Sequence, residues 1–204
     1  MEIFDRLLEI AITIVLIIGG YQFYFWAQRQ RLFEARFLET RFDSMISYDP
    51  RWVWVYSGLY YPMTVLAALS VPDWRHYALA VGSFLFLLFV QVLFFLFMPI
   101  EIPSEWRTRN RVGWDRTLSQ RFMDLVWSFD KLRNSMPSMH VSVATVVDLT
   151  IWKYWPTVGI FGMLFPLLIA ISALKTKQHY VVDVVPGAVL GYFIFTLWYY
   201  IVGV

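Results

Sequence analysis

Two short polar clusters interrupt the long apolar runs of this chain, Asn134-Ser135-Met136-Pro137-Ser138-Met139-His140 and Lys175-Thr176-Lys177-Gln178-His179-Tyr180-Val181-Val182-Asp183. Two of the three histidines lie in them. A neutral imidazole, a carboxylate, a second imidazole and nearby cations are the parts needed to hold a phosphate, attack it and protonate its leaving group. Residues four apart stack on one helix face, so a helical His179–Asp183 stretch would put the carboxylate on one ring nitrogen and aim the other at phosphorus. Pro137 suits a first helical turn, where free N–H groups and the Ser138 hydroxyl would face an anion. His140, entering from another helix, would act as general acid toward the leaving oxygen. Phosphate charge would be met by Lys175 and Lys177, with Arg107, Arg109, Arg111 and Arg133 as further candidates. No carboxylate cluster suited to magnesium or calcium flanks either motif, so the expected chemistry needs no metal and no cofactor.

The elements that must position these residues are transmembrane helices. Of 204 residues, 59% are hydrophobic and 20% aromatic, and only 16% are charged. A soluble domain carries charge on roughly a quarter of its residues. The absence of cysteine excludes disulfides and cysteine-ligated metal centres. A hydrocarbon core of about 30 Å requires about 20 apolar residues in helical form. Six stretches qualify, near residues 7–27, 53–71, 77–98, 137–155, 157–174 and 184–204. The fourth carries Asp148 and Lys153, yet without it the two polar clusters would face opposite sides. Glu2, Asp5 and Glu9 spoil a basic leader, so the first stretch reads as a retained helix. Leu32, Ala35, Leu38, Phe42 and Met45 recur at helical spacing and predict an interfacial amphipathic helix. Leu118, Phe122, Leu125 and Phe129 predict a second. The expected fold is therefore all-α, an integral membrane six-helix bundle with one or two interfacial amphipathic helices. Residues 1–204 form one domain in this reading.

With six spans, the connections 28–52, 99–136 and 175–183 open on one side, and both polar clusters border it. That side holds 14 Lys and Arg residues and the other holds Arg6, Arg75 and Lys153. The positive-inside rule then turns the site toward the cytosol.

The two clusters resemble motifs of the phosphatidic acid phosphatase type 2 superfamily. That family is marked by Lys, six residues, Arg-Pro; then Pro-Ser-Gly-His; then Ser-Arg, five residues, His, three residues, Asp. Here Pro137-Ser138-Met139-His140 matches the second with Met139 in the glycine place, and Ser172, His179 and Asp183 match the third at the same spacing. Pro186-Gly187 resembles the small-residue turn that often follows. The arginine of the third motif falls on Ala173, and the first motif is absent in its usual form, with only Arg107, Arg109 and Arg111 in that connection. The Asn-Ser-x-Pro-Ser-x-His stretch and the Thr-Lys-Gln-His-Tyr run look closer to the branch with inositol phosphorylceramide synthases and related bacterial proteins. The resemblance implies that His179 becomes phosphorylated, Asp183 is its partner, His140 is the leaving-group acid, and Ser138 helps to bind phosphate. Most relatives with this motif set act on the extracytoplasmic face, opposite to the charge count.

The expected protein is thus a multi-pass enzyme, in a bacterial cytoplasmic membrane, that acts on a lipid phosphate or diphosphate through a phosphohistidine. Its partners are the lipid substrate and the bilayer, with no nucleic acid. A headgroup transferase, in which an alcohol replaces water, is the nearest rival. A non-catalytic lipid-phosphate binder or transporter is the other.

Overall fold

A computed structural model describes residues 3–111, 113–114 and 117–204, apart from the side chains of residues 109–111 and 161. Among the described residues the fold is all-helical, with α1 (Ile3–Arg29), α2 (Arg41–Met45), α3 (Tyr60–Ser70), α4 (Trp74–Phe97), α5 (Glu105–Arg111), α6 (Leu118–Phe129), α7 (Met139–Tyr154), α8 (Pro156–Gly162), α9 (Leu164–Lys175) and α10 (Val181–Ile201). All six expected apolar stretches are helical over most of their length. Among the described residues two helices, α4 and α10, are long and apolar enough to cross a membrane. Both expose bulky apolar side chains, Leu85, Phe89, Leu93 and Phe97 on α4 and Val185, Val189, Tyr192 and Phe193 on α10. The spacing of four on α4 marks one outward stripe.

Two of these stretches depart from simple helices, each beside a proline. The fifth breaks at Met163 into α8 and α9. Pro166 has no N–H for the Gly162 carbonyl, so the ladder is interrupted one turn earlier. Gly162 also lies against the buried Asp148 of α7, where an added Cβ would sit 2.5 Å from the carboxylate. Ahead of α3, residues Trp54–Leu59 form a π-helical turn. Pro62 likewise cannot bond the Gly58 carbonyl, and its ring would crowd that oxygen in a regular helix. The widened turn relieves the clash and rotates the residues before it.

The interfacial helix expected over residues 32–45 is not formed; only Arg41–Met45 is helical. Arg36 instead bridges Ile100, its N–H donating to the Pro99 carbonyl at 3.0 Å and its carbonyl accepting from Glu101 N at 2.9 Å. Leu38 packs on Ile100, Ile102, Trp106 and Tyr180. Backbone pairing and this apolar cluster outweigh a weak helical pattern. The second expected surface helix is present as α6, with Leu118, Leu125 and Phe129 exposed.

Helix α7 is the hub and packs on α3, α4, α8, α9 and α10. Its Val141, Ala144, Val147 and Ile151 are buried with Leu87, Phe165, Ile169 and Ile194. Against α10 the contact is backbone on backbone. A Cβ on Gly187 would lie 2.7 Å from the Ser138 carbonyl, and one on Gly191 2.4 Å from the Ser142 carbonyl. Small residues four apart allow this approach, the usual device of helix pairs in lipid. The sequence suggested a turn at Pro186-Gly187; α10 runs straight through it. Gly191→Ala is expected to separate the two helices and cost about 1–3 kcal/mol by overpacking. Thermal denaturation in micelles measures this, with Gly19→Ala as the control, since nothing lies within 4 Å of a Cβ there.

Candidate active site

The loop between α9 and α10 places His179. Helix α9 ends with Thr176 N on the Ser172 carbonyl (2.9 Å), and Gln178 N turns back to the Ala173 carbonyl (3.0 Å). Lys177 sits between them at φ 56°, in the left-handed region. His179 follows, just outside α10, and Asp183 is the third residue of that helix. The two are therefore not on one continuous helical turn, as the spacing alone suggested. Their separation is still short, 3.5 Å from His179 Nδ1 to Asp183 Oδ2.

The nearer partner of that ring nitrogen is the Ser135 carbonyl, at 2.8 Å. A carbonyl only accepts, so Nδ1 carries a proton, and in the neutral ring Nε2 then keeps its lone pair. Asp183 is fully buried and has further duties. Its Oδ2 accepts from Tyr180 N at 2.9 Å and from the Ser135 hydroxyl. Its backbone carbonyl accepts from Ser138 N at 3.1 Å. Ser135 thus joins both side chains of the pair, one through its carbonyl and one through its hydroxyl.

On α7, Ser138 is the N-cap, fully buried, its Oγ accepting from Val141 N at 3.5 Å. Its hydroxyl is engaged with its own helix. Gln91 of α4 ties down the same helix start, donating to the Pro137 carbonyl and accepting from the Ser142 hydroxyl. His140 follows and its ring lies edge-to-face with His179, centroids 6.2 Å apart. His140 Nδ1 is 3.0 Å from the Tyr56 hydroxyl.

A cavity of about 570 Å³ opens beside His140. Its polar end is formed by His140, Tyr56, Asp130 and Gln178, and its walls by Ile17, Tyr21 and Phe25 of α1 and Phe122, Leu125 and Phe129 of α6. An apolar passage thus runs from between α1 and α6 to the His140 imidazole.

The cations expected around phosphate are distributed unevenly. Arg107 reaches this end but is paired with Asp130 at 2.5 Å, also donating to the Asp130 carbonyl at 3.0 Å and the Trp127 carbonyl at 3.2 Å. Burial pulls its guanidinium below its ordinary value, and Asp130 opposes that shift. Asp130 also accepts from Gln28 Nε2 at 2.7 Å, and Gln178 donates to its other oxygen at 2.9 Å. Lys177 points elsewhere: its Nζ donates to the Asp43 carbonyl at 2.5 Å and lies over Trp106, in a separate polar recess with Glu39 and Tyr48. Lys175 is at the surface on Ser47, at 3.2 Å. Arg133 is held by Glu101 at 3.3 Å. The side chains of Arg109 and Arg111 lie outside the described residues. Ala173, where the third motif of the resemblance has arginine, is fully buried.

Sequence reasoning passed over Ser135, Tyr56, Asp130 and Gln178 as site residues. Ser135 and Gln178 stood inside the two clusters and could have been singled out there. Asp130 carried only its nearness to Arg107 in the same polar connection. Tyr56 carried no signal beyond the proline six residues later. Among the described residues no group of three or more His, Asp or Glu residues is placed to hold a metal ion.

A family model described as the PAP2 superfamily matches residues 25–197. No curated protein and no solved structure matches the chain.

Proposed function

The chain belongs to the PAP2 superfamily, a family of phosphatases and phosphotransferases, and on that premise we propose that it moves the phosphoryl-containing group of a membrane lipid to water or to an alcohol. The observation that carries this reading is the adjacent pair of imidazoles, edge-to-face with centroids 6.2 Å apart, one of them with Nδ1 held by a backbone carbonyl so that Nε2 is the nitrogen left for chemistry. Rings this close can each turn a nitrogen to the same phosphoryl group bound beside them. His179 Nε2 attacks phosphorus and the bond to the leaving oxygen breaks, while His140 as imidazolium gives that oxygen its proton. Asp183 and the Ser135 carbonyl stabilise the charge that forms on His179. A water or alcohol hydroxyl then attacks the same phosphorus, the phosphorus–nitrogen bond breaks, and the proton of the incoming hydroxyl passes to His140.

The substrate class follows from the cavity. Its apolar walls suit acyl chains and its polar end a headgroup. The six helical stretches serve as membrane spans in this reading, with the basic connections on the site face. Arg107 then lies one residue away from the phosphate, behind Asp130.

The test is turnover by purified protein in micelles against a panel of lipid phosphates and diphosphates, with and without candidate alcohols. Release of phosphate, or exchange of headgroup, is expected from at least one member of the panel. Vanadate, which mimics pentacoordinate phosphorus, should inhibit at stoichiometric occupancy of the site. Tight binding of lipid phosphates without turnover would replace this reading with that of a phosphate-binding protein.

A further inference from the structure

The π-helical turn Trp54–Leu59 lies directly against His140. π-Turns are rare and concentrate at functional sites, because the extra residue redirects side chains that a regular helix would send elsewhere. Here it presents Tyr56, and one turn later Tyr60, to the same imidazole. The Tyr56 ring stacks on His140 with centroids 4.1 Å apart and planes at 24°, and Tyr60 closes the next side at 4.9 Å. Both tyrosines are buried, at 4% and 5% exposure. His140 is thus fixed in place by aromatic rings, with its one described hydrogen bond running from Nδ1 to the Tyr56 hydroxyl, at 3.0 Å.

The two histidines therefore have partners of different kinds. His179 faces a carbonyl, which accepts and never donates. His140 faces a phenol, which does either. Among the described residues Nδ1 is the only hydrogen-bond partner of the Tyr56 hydroxyl, and a buried hydroxyl proton needs an acceptor. The phenol thus donates to the neutral ring, leaving Nε2 to carry the imidazole proton. When the ring becomes an imidazolium, Nδ1–H donates instead and the phenol oxygen accepts. The hydrogen bond survives in the imidazolium and in either neutral tautomer, whereas a carbonyl in that place would require the proton to stay on Nδ1.

The geometry points to Tyr56 as the positioning residue for His140: it holds the ring with Nε2 free for the leaving oxygen and, by donating to or accepting from Nδ1, keeps the ring aligned as the Nε2 proton of the imidazolium leaves and returns. This assignment rests on the phosphoryl-transfer reading for its catalytic meaning, but the contact can be tested without turnover. The chain has three histidines, so ¹⁵N-histidine labelling yields three imidazole spectra, assigned by His76→Gln and His140→Gln.

In the wild type above the imidazole titration, His140 is expected as the Nε2–H tautomer and His179 as Nδ1–H. The same tautomer on both rings would overturn the proposal, with no variant required. Tyr56→Phe, which keeps the ring and removes the hydroxyl, is expected to shift the His140 nitrogen signals and leave His76 unmoved. Unchanged His140 signals in a folded variant would overturn it too. On the best lipid of the panel, Tyr56→Phe should lower kcat about 10- to 100-fold with KM nearly constant, as loss of an orienting partner does. With p-nitrophenyl phosphate, whose leaving group needs little protonation, the loss should shrink to about threefold. An equal loss on both substrates would mark Tyr56 as a packing residue and refute the assignment. A wild type that turns over nothing would remove the phosphoryl-transfer reading, while the two tautomers would still decide the Tyr56 contact.

Discussion

Replacing His179 with alanine is expected to lower kcat by about four to six orders of magnitude, the range seen when a covalent nucleophile is removed. The protein should remain folded. The ring makes one backbone hydrogen bond, to the Ser135 carbonyl, and sits in a loop and not in the interior of α9 or α10. Brief incubation of the wild type with a radiolabelled lipid phosphate, followed by quenching at high pH, should trap a phosphoenzyme that acid destroys. The variant should form none. Because Nδ1 is already committed to a carbonyl, the adduct must form on Nε2, and fragmentation of the labelled peptide would locate it there. Turnover at the wild-type rate by the alanine variant would refute the nucleophile assignment outright.

Asp183→Asn should lower kcat by roughly 10²–10³, the loss typical of removing one preorganised electrostatic partner. The loss would reach about 10⁴ if the substitution also reversed the tautomer, as it does where a carboxylate is the sole partner of the ring. Here it is not the sole partner, since the Ser135 carbonyl at 2.8 Å lies closer to Nδ1 than the carboxylate at 3.5 Å. Asp183→Asn therefore separates two functions that are usually merged. A stability loss of about 1–3 kcal/mol should accompany it, because the buried carboxylate also accepts from Tyr180 N and the Ser135 hydroxyl. Asp183→Ala should be less stable still, leaving those donors without an acceptor. The measurements are kcat on the active substrate and thermal denaturation of both variants. Wild-type kcat in the asparagine variant would show that the carboxylate serves the helix start and not the imidazole.

What could be read from the residues was what depends on apolar length and local spacing. The six helical stretches follow from hydrocarbon runs, and α6 from its stripe at residues 118, 122, 125 and 129. The nearness of His140, His179 and Asp183 was legible because the two clusters share one side of the bundle. What escaped depends on partners distant in sequence. Residues 32–40 have a helical pattern, but the backbone at 99–101 gives them a better hydrogen-bond partner. The cations were counted by proximity in sequence, whereas Lys177 is drawn away by the Asp43 carbonyl and Trp106. Tyr56 came into view only through the shifted register ahead of Pro62, a change no periodicity records.

Gly187 and Gly191 bring the backbones of α7 and α10 into contact, so in the proposed reaction His140 and Asp183 ride on one stiff pair of rods and His179 on the short loop that enters the second. The wall of the cavity is made by other elements, α1 leaning on α3 and α4, and α6 at the opening. In the proposed membrane setting, a bilayer that thickens, thins or changes its lateral pressure acts first on those outer pieces. Lipid composition should therefore throttle the entrance while the geometry between the imidazoles holds constant.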